Sequence, residues 1–340
     1  MIRKAPERIA EGLPDLVPLV ERLLEHIPPR DLGTILFPPT LWSEVLRTAV
    51  DRKRASGGGF DPDLPDEPFL EAVLDRMHWL SRHYFDAAVE GAERVPAEGP
   101  ALIVGNHNAG LMPIDASFAI REIRRTLGPD RPIHALVHDF AYMSPTLARH
   151  AHRLGILRAS SENARAALEA GRIVMVYPGG DRDAFRPWPE RNEIVLAGRT
   201  GFARIALESR APIVPLVSAG LHESFVVLSR GERIARALHL KDLLRTEVLP
   251  IALCLPWGIA PAFAPFIPMP TTIDMRMGDP IALEGDPGDE EAVRAGYERV
   301  EREMRSIMDD ISKRRAERAG GSSDRPGTGA GTPRREGVGR

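Results

Sequence analysis

Residues 101–115, ALIVGNHNAGLMPID, constrain the fold of this chain more than any other segment. The run 101–104 is apolar throughout, which is typical of a parallel strand that is buried on both faces. It ends at Gly105, and the polar sequence Asn-His-Asn follows at once. Because ligands and catalytic groups collect at the carboxyl ends of such strands, this pattern predicts that His107 is a general base.

Segments of strand length alternate with segments of helical periodicity in the rest of the chain. The predicted strands are residues 101–104, 132–137, 154–157, 172–177, 212–217 and 271–277. The predicted helices are residues 116–127, 161–170, 200–209 and about 289–314, in addition to a helix within 67–90. This alternation favours an α/β fold with a mostly parallel sheet that is flanked by helices, together with an N-terminal helical extension.

Composition divides the chain into three predicted regions. Residues 1–90 form an N-terminal helical region, with a flexible linker near 55–66 where the sequence is rich in glycine and proline. Residues 91–315 form the α/β domain. Residues 316–340 are dominated by Gly, Ser, Pro, Thr and Arg, and we expect them to be disordered.

Composition also excludes several classes of protein. The net charge of -3 shows no strongly basic body, so no nucleic-acid partner is expected. A single cysteine, Cys254, excludes an intramolecular disulfide and a Cys-rich metal site. His134 and His138 share an i,i+4 spacing but lack an HExxH context, so no metal site is predicted. The N-terminus lacks the apolar core of a secretory signal, and we therefore expect a cytoplasmic location.

Two loops hold the candidate site residues. A carboxylate at Asp115 that bonded one ring nitrogen of His107 would fix its tautomer and stabilise the imidazolium. The second loop, Pro-Gly-Gly-Asp-Arg at 178–182, has backbone amides that could bind an anion, with Arg182 reaching phosphate oxygens. Each loop taken alone is also compatible with ordinary polar or glycine-rich turns. No Gly-x-Ser-x-Gly occurs, which argues against a serine nucleophile of the α/β-hydrolase kind.

Four segments together carry a resemblance to a known family. They are VGNHNAGLMPID (104–115), LGILRASSENA (154–164), VMVYPGGDRDAF (174–185) with AGRTGFARIALESRAPIVPLV (197–217), and GDPI (278–281). In this order they resemble the glycerolipid acyltransferase superfamily, which includes the lysophosphatidate and glycerol-phosphate acyltransferases. Within it, the chain looks like the branch of the monoacylglycerol and diacylglycerol acyltransferases. The resemblance covers about residues 100 to 285, more than half of the chain.

The resemblance implies an acyl-CoA-dependent O-acyltransferase. His107 would remove the proton from an acceptor hydroxyl as it attacks the thioester, with no covalent acyl-enzyme. Gly180 and Arg182 match the family's third motif and, with Gly179, would grip phosphate or glycerol oxygens; Arg199 matches a basic position. The implied partners are acyl-CoA, as a co-substrate rather than a cofactor, and a lipid acceptor.

The sequence departs from the superfamily pattern at two positions. The usual first motif has Asp five residues after His, where this chain has Met112, and the Asp lies at 115 in the longer Pro-x-Asp form of the branch. The glutamate of the third motif is replaced by Gly179, and Asp183 or Glu193 is a candidate to take over its role. These departures keep open a non-catalytic protein that binds lipid or acyl-CoA. A hydrolase of acyl thioesters also stays open, because the same base could activate water if no acceptor is held.

Membrane contact is expected to be peripheral. Residues 249–270 carry no charge, but their six prolines make a lipid-exposed spanning helix implausible. This segment either lines an acyl-chain tunnel or dips into a bilayer, or it is a buried irregular wall of the core. The helix within 67–90 either packs on the α/β domain or rests on a membrane surface through its aromatic and basic residues.

Overall fold

The computed structural model describes residues 64–321, except for 109, 111–113, 138–141, 143–144, 238, 240–247, 256 and 263–266. Most of the predicted linker at 55–66, the N-terminal residues before it, His138 and residues 322–340 lie outside the described residues.

Within the described residues, a seven-stranded sheet forms the centre of the molecule. Its strands are β1 (Ala88–Glu90), β2 (Ala101–Gly105), β3 (Ile133–Val137), β4 (Leu157–Arg158), β5 (Ile173–Val176), β6 (Ile213–Ala219) and β10 (Asp274–Met277), in the order β1-β10-β6-β2-β5-β3-β4. The five strands from β6 to β4 are mutually parallel, whereas β10 runs antiparallel to β6 and pairs in parallel with β1. The predicted fold class, α/β with a mostly parallel sheet, is confirmed.

Helices cover both faces of this sheet. They are α1 (Glu67–His83), α2 (Ile114–Leu127), α3 (Pro145–Arg153), α4 (Ser161–Glu169), α5 (Gly180–Ala184), α6 (Gly201–Ser209), α7 (Glu232–Ala237) and α8 (Glu290–Gly321). Local signals fix where they begin. The carboxylate of Asp66 accepts a hydrogen bond from the amide N–H of Phe69 at the start of α1. The hydroxyl of Ser160 accepts one from the amide N–H of Asn163 at the start of α4.

The hydrophobic core consists of two layers, one on each side of the sheet. In β2, Ala101 and Ile103 pack in the layer that contains α1 and α2, while Leu102 and Val104 pack in the layer that contains α4, α6 and α8. All four side chains are at most 1% exposed. A strand buried on both faces needs an uninterrupted apolar run, and this requirement explains the sequence of β2.

A small antiparallel sheet, which the sequence analysis missed, lies beside the main one. It contains β7 (Val226–Ser229), β8 (Ile251–Cys254) and β9 (Gly258–Pro261). The proline-rich segment 249–270 therefore includes a regular β8–β9 hairpin instead of an irregular wall. Pro250 precedes β8, and Pro261 ends β9, which are positions where a missing amide is tolerated.

The predicted boundary between an N-terminal helical region and the α/β domain, at residues 90/91, does not divide the structure there. β1 pairs with β10 in the main sheet, and the buried guanidinium of Arg124 in α2 binds Glu67 and Glu71 of α1 at 2.5 and 2.8 Å. The apolar stripe of α1 is buried on the domain, as expected for the packing alternative. Residues 64–90 thus belong to the same folded unit as the α/β domain.

The C-terminal boundary also differs. α8 continues to Gly321, whereas the sequence analysis predicted disorder from residue 316. Arg315 binds the carboxylates of Asp274 (2.8 Å) and Glu223 (2.7 Å), and Arg318 binds Asp274 at 2.6 Å. These ion pairs hold the last turns of the helix to the sheet edge, which composition alone does not reveal.

Candidate active site

The carboxyl ends of three neighbouring parallel strands meet at one edge of the sheet. β2 lies between β6 and β5, and its end leads into His107. The end of β5 leads into Tyr177 and the Gly179-Gly180 loop, and β6 leads into a 3-10 turn at Leu221–Glu223. The two predicted loops are therefore brought together, with the turn after β6 as a third contributor.

The main chain of His107 is held on both sides by a buried ion pair. Its N–H donates to Oδ2 of Asp183, and its carbonyl accepts from Nη1 of Arg186 at 3.3 Å. Asp183 and Arg186 bind each other, and both side chains are 0% exposed. A hydrogen-bonded charge pair in this position fixes the loop that carries the imidazole.

The ring of His107 is held in one tautomer. Its Nδ1 lies 3.3 Å from the main-chain oxygen of Asn108. A carbonyl can only accept, so Nδ1 carries the hydrogen and Nε2 carries the lone pair. Burial lowers the pKa of His107 to about 4, against the opposing effect of the Asn108 carbonyl, and the charge of Arg186 lowers it further. His107 is consequently a neutral imidazole whose Nε2 can accept a proton.

Asp115 lies at the start of α2 and is fully buried, but it does not form the predicted hydrogen bond with His107. Its Oδ1 accepts the amide of Ala116 at 3.0 Å, and its Oδ2 has no hydrogen-bond partner among the described residues. Nδ1 of His107 is directed to the Asn108 carbonyl instead. Burial raises the pKa of Asp115 to about 6. Burial, followed by the charge of Asp115, raises the pKa of the Tyr177 phenol. The predicted pairing of the two side chains is wrong for this structure.

Tight packing explains both glycines of the second loop. A side-chain carbon on Gly179 would run into the carbonyl of Val195 and the side chain of Asp183. Gly180 has a φ of +57°, and a side-chain carbon there would meet the guanidinium of Arg199. The glycines therefore allow the loop to close over Asp183, which in turn holds His107.

Arg182 and Arg199 lie on the solvent side of this loop. The side chain of Arg182 is exposed. Arg199, with 53% of its side chain exposed, donates to the carbonyl of Pro178 at 2.9 Å and lies 3.7 Å from Asp181. Arg199 thus holds the Gly179-Gly180 loop through the Pro178 carbonyl, and part of its guanidinium is exposed to solvent. Substrate binding by the two arginines stays a prediction.

The chain matches one known protein family over the region that contains this site. The profile of the family described as diacylglycerol acyltransferase matches residues 74–302, which is more than half of the chain. The chain belongs to the diacylglycerol acyltransferase family. The match includes His107, Asp183 and Arg199, so the site lies within the family region.

Curated relatives share between a quarter and a third of their aligned residues with this chain. An uncharacterized protein of Mycobacterium bovis is 26% identical over 232 residues, covering 68% of this chain and 62% of that protein. The Bos taurus protein named "DGAT1/2-independent enzyme synthesizing storage lipids" is 28% identical over 196 residues, covering 58% of this chain and 52% of that protein. The chain thus matches less than two thirds of the length of these relatives.

A solved structure is also similar. It is the 1-acyl-sn-glycerophosphate acyltransferase PlsC from Thermotoga maritima, with 16% identity and a TM-score of 0.41, and the alignment covers 88% of this chain and 98% of that one.

Several polar residues of the site were not predicted from the sequence. The amide of Asn108 donates to the carbonyl of Ser218 at 2.7 Å and accepts from Arg186 at 2.7 Å and from His222 at 2.8 Å. Asn106 exchanges hydrogen bonds with the main chain of Ser218 at 2.9 and 2.8 Å. The available signal was that polar residues follow the predicted strand 212–217, which neighbours β2.

The structure also separates the two carboxylates that were candidates for the missing third-motif glutamate. Asp183 is 0% exposed and bonds the main chain of His107, whereas Glu193 is exposed. Asp183 is therefore the carboxylate that supports the candidate base.

The described residues contain neither a metal-ligand cluster nor a helix that could span a membrane. No group of three or more His, Cys, Asp or Glu side chains there is arranged to hold a metal ion. His134 is buried, with Nδ1 2.8 Å from the carbonyl of Gly155 and Nε2 3.1 Å from Arg172. None of the helices in the described ranges combines the length and apolar character needed to cross a bilayer.

Proposed function

We propose that this chain transfers a fatty acyl group from acyl-CoA to a hydroxyl of a glycerolipid or related lipid, with His107 as the general base. Membership of the diacylglycerol acyltransferase family supports the reaction class. The observation that carries the role of His107 is its geometry: a neutral imidazole at the shared strand edge, with its main chain fixed by Asp183 and Arg186.

The proposed step uses one proton acceptor. Nε2 of His107 takes the hydroxyl proton while the acceptor oxygen attacks the thioester carbonyl and forms the new C–O bond. Collapse of the tetrahedral intermediate breaks the C–S bond, and the imidazolium returns the proton to the departing thiolate. The low pKa of His107 favours this return, because burial and, to a smaller extent, the charge of Arg186 disfavour the charged ring.

The exposed arginines are proposed to bind the donor. Arg182 and Arg199 place two guanidinium groups around the Gly179-Gly180 loop, and guanidinium groups suit the phosphates of coenzyme A. Asp181 lies 3.7 Å from Arg199, so a bound phosphate would compete with this carboxylate.

The direct test is transfer of a labelled acyl group from acyl-CoA to a mixed lipid extract, with products resolved by mass. We expect a product with the wild type and a loss of about 10²–10⁴-fold in rate for His107→Gln, since general-base catalysis contributes about that factor. Equal unfolding midpoints of the two proteins would show that the fold is intact. A His107→Gln variant of normal activity would remove the proposed mechanism.

One observation favours a second function, a non-catalytic protein that binds lipid or acyl-CoA. Oδ2 of Asp115 has no hydrogen-bond partner among the described residues, and no carboxylate there supports the His107 ring directly. The same assay separates the two functions. Binding of acyl-CoA without any acylated product, across the whole lipid extract, would favour the binding protein, whereas coenzyme A release without a lipid product would indicate a thioester hydrolase.

Peripheral membrane contact is proposed for the β8–β9 hairpin. Trp257 and Ile259 are 58% and 69% exposed there, and exposed apolar side chains of this size suit the interface of a bilayer. We expect wild-type protein to float with liposomes of the lipid extract and the double variant Trp257→Ser, Ile259→Ser to float less.

The control for this prediction is Ile234→Ser, because Ile234 is 46% exposed in α7 and lies outside the hairpin. Wild-type protein that stays entirely in the bottom fraction would contradict membrane contact, and equal losses in both variants would contradict the role of the hairpin. A cytoplasmic location stays a prediction.

A further inference from the structure

Arg315, near the end of α8, lies outside the residues 74–302 that match the family, yet it binds the turn after β6 that contributes to the site. Building on the proposed function, we propose that Arg315 is a positioning residue for catalysis. It holds the Leu221–Glu223 turn through Glu223, and this turn holds the loop of His107. The C-terminal end of α8 would thus affect the rate of acyl transfer without touching the substrate.

The order of the strands places this turn between α8 and the candidate base. The turn follows β6, which pairs with β2 on one side and with β10 on the other. His107 follows β2, and Arg315 binds Asp274 at the start of β10 at 2.8 Å. A residue of the turn can therefore be held from α8 while its neighbour contacts the loop of His107.

Both carboxylate oxygens of Glu223 accept hydrogen bonds. Nη2 of Arg315 donates to Oε1 at 2.7 Å, and Oγ1 of Thr271 donates to Oε2 at 3.0 Å. Nη1 of Arg315 donates to the Thr272 carbonyl at 2.7 Å and to Asp274 at 2.8 Å. Only 17% of the Arg315 side chain and 29% of the Glu223 side chain are exposed. The guanidinium thus joins the turn to the segment that leads into β10 through directed, charge-assisted hydrogen bonds.

Gly220, which precedes the turn, permits this approach. Its φ is +100°, and a side-chain carbon there would meet the Thr272 carbonyl and the guanidinium of Arg315. The carbonyl of Gly220 accepts a hydrogen bond from the amide N–H of Glu223 at 2.9 Å, which closes the turn. The main chain at the start of the turn is therefore packed directly against the guanidinium.

On its other side, the turn contacts the residue that follows the candidate base. Nδ2 of Asn108 donates to the Ser218 carbonyl, so Oδ1 is the acceptor that binds Nδ1–H of His222 at 2.8 Å. Arg186 donates to the same Oδ1 at 2.7 Å and to the main-chain oxygen of His107 at 3.3 Å. Because the main-chain oxygen of Asn108 also accepts from the His107 ring, a displaced turn would misalign the imidazole.

The experiment compares Arg315→Met with Arg318→Met in the acyl-transfer assay. In the described part of the chain both arginines bind Asp274, and only Arg315 also binds Glu223. We expect Arg315→Met to lower kcat about 10- to 100-fold, since a misplaced catalytic group costs up to about that factor. KM for acyl-CoA should stay within about 3-fold, because the interaction lost acts on the base and not on substrate binding. Arg318→Met, which removes a 54% exposed side chain, should keep kcat within about 2-fold.

Conservative variants separate positioning from folding. Arg315→Lys keeps a positive charge beside Glu223 and should recover part of kcat. Glu223→Gln keeps the length of the side chain without its charge, should also lower kcat, and is the variant of choice if Arg315→Met impairs folding. Equal losses of kcat in Arg315→Met and Arg318→Met would overturn the proposal, because α8 would then only support the fold. Unchanged kcat in a folded Arg315→Met variant would overturn it as well.

The second measurement does not depend on turnover. ¹⁵N-histidine-labelled protein gives the Nδ1–H proton signal of His222, which His222→Gln assigns. We expect Arg315→Met to move this signal upfield, because the hydrogen bond to Asn108 lengthens, and Arg318→Met to leave it in place. This shift in a protein whose wild type transfers no acyl group would contradict the proposed function but support the connection from Arg315 to His222. An unchanged signal in Arg315→Met would overturn the connection itself.

Discussion

The charged residues on the two sides of His107 differ in burial and in their contacts with its main chain. On the inner side, Asp183 and Arg186 are 0% exposed and bind the main chain of His107 directly. On the outer side, Arg182 and Arg199 are exposed around the glycine loop. Charge in the low-dielectric interior fixes geometry, and its removal is costly, whereas exposed charge is screened by solvent and its removal costs little stability. We therefore expect substitution of the buried Arg186 to cost much more stability than substitution of the exposed Arg182, four residues away.

Removal of one arginine from each side should produce the largest contrast. Arg186→Met leaves the buried carboxylate of Asp183 without its partner, and we expect the free energy of unfolding to fall by about 3–5 kcal/mol. Arg182→Met is the matched control on the exposed side and should change it by less than about 0.5 kcal/mol. Urea denaturation at neutral pH measures both. Similar losses in the two variants would contradict the assignment of the buried pair as the support of the site.

Substitution in the Gly179-Gly180 loop, which separates the two sides, should change the free energy of unfolding less. Gly179→Ala should lower the free energy of unfolding by about 1–3 kcal/mol, since the methyl group would overlap the Val195 carbonyl and Asp183. Gly201→Ala is the control, because nothing lies within 4 Å of a side-chain carbon there. We expect the control to be neutral or stabilised by up to about 1 kcal/mol. A neutral Gly179→Ala variant, measured by thermal unfolding beside the control, would show that the loop is not closed over Asp183.

Much of the architecture follows from local sequence. The apolar run that became β2 and the alternation of strands and helices predicted the parallel sheet, because a strand covered on both faces leaves little freedom in composition. The same run placed His107 at a strand end, where the structure has it. The motif that follows β5 was also located, with Gly179 and Gly180 at positions that accept no larger residue.

The remaining features depend on contacts between distant residues. The pairing of Asp115 with His107 was inferred from spacing, yet the Asn108 carbonyl occupies Nδ1 of the ring. Asn108 and His222 are 114 positions apart and meet only because β2 and β6 are neighbours. The last turns of α8 are held by ion pairs with Asp274, and no pattern within the helix indicates that partner.

The central claim is that the buried side holds His107 as a neutral base that donates no hydrogen bond to Asp115. The most direct test is the pH dependence of kcat/KM for an uncharged lipid acceptor at saturating acyl-CoA, over the range in which circular dichroism shows an intact fold. The pKa of His107 is lowered to about 4, so the neutral ring persists as pH falls from 6.5 towards that value, and activity should fall only near pH 4. Asp115→Asn should leave this limb in place. A wild-type limb near pH 6, the pKa of Asp115, that is lost in Asp115→Asn would contradict the account.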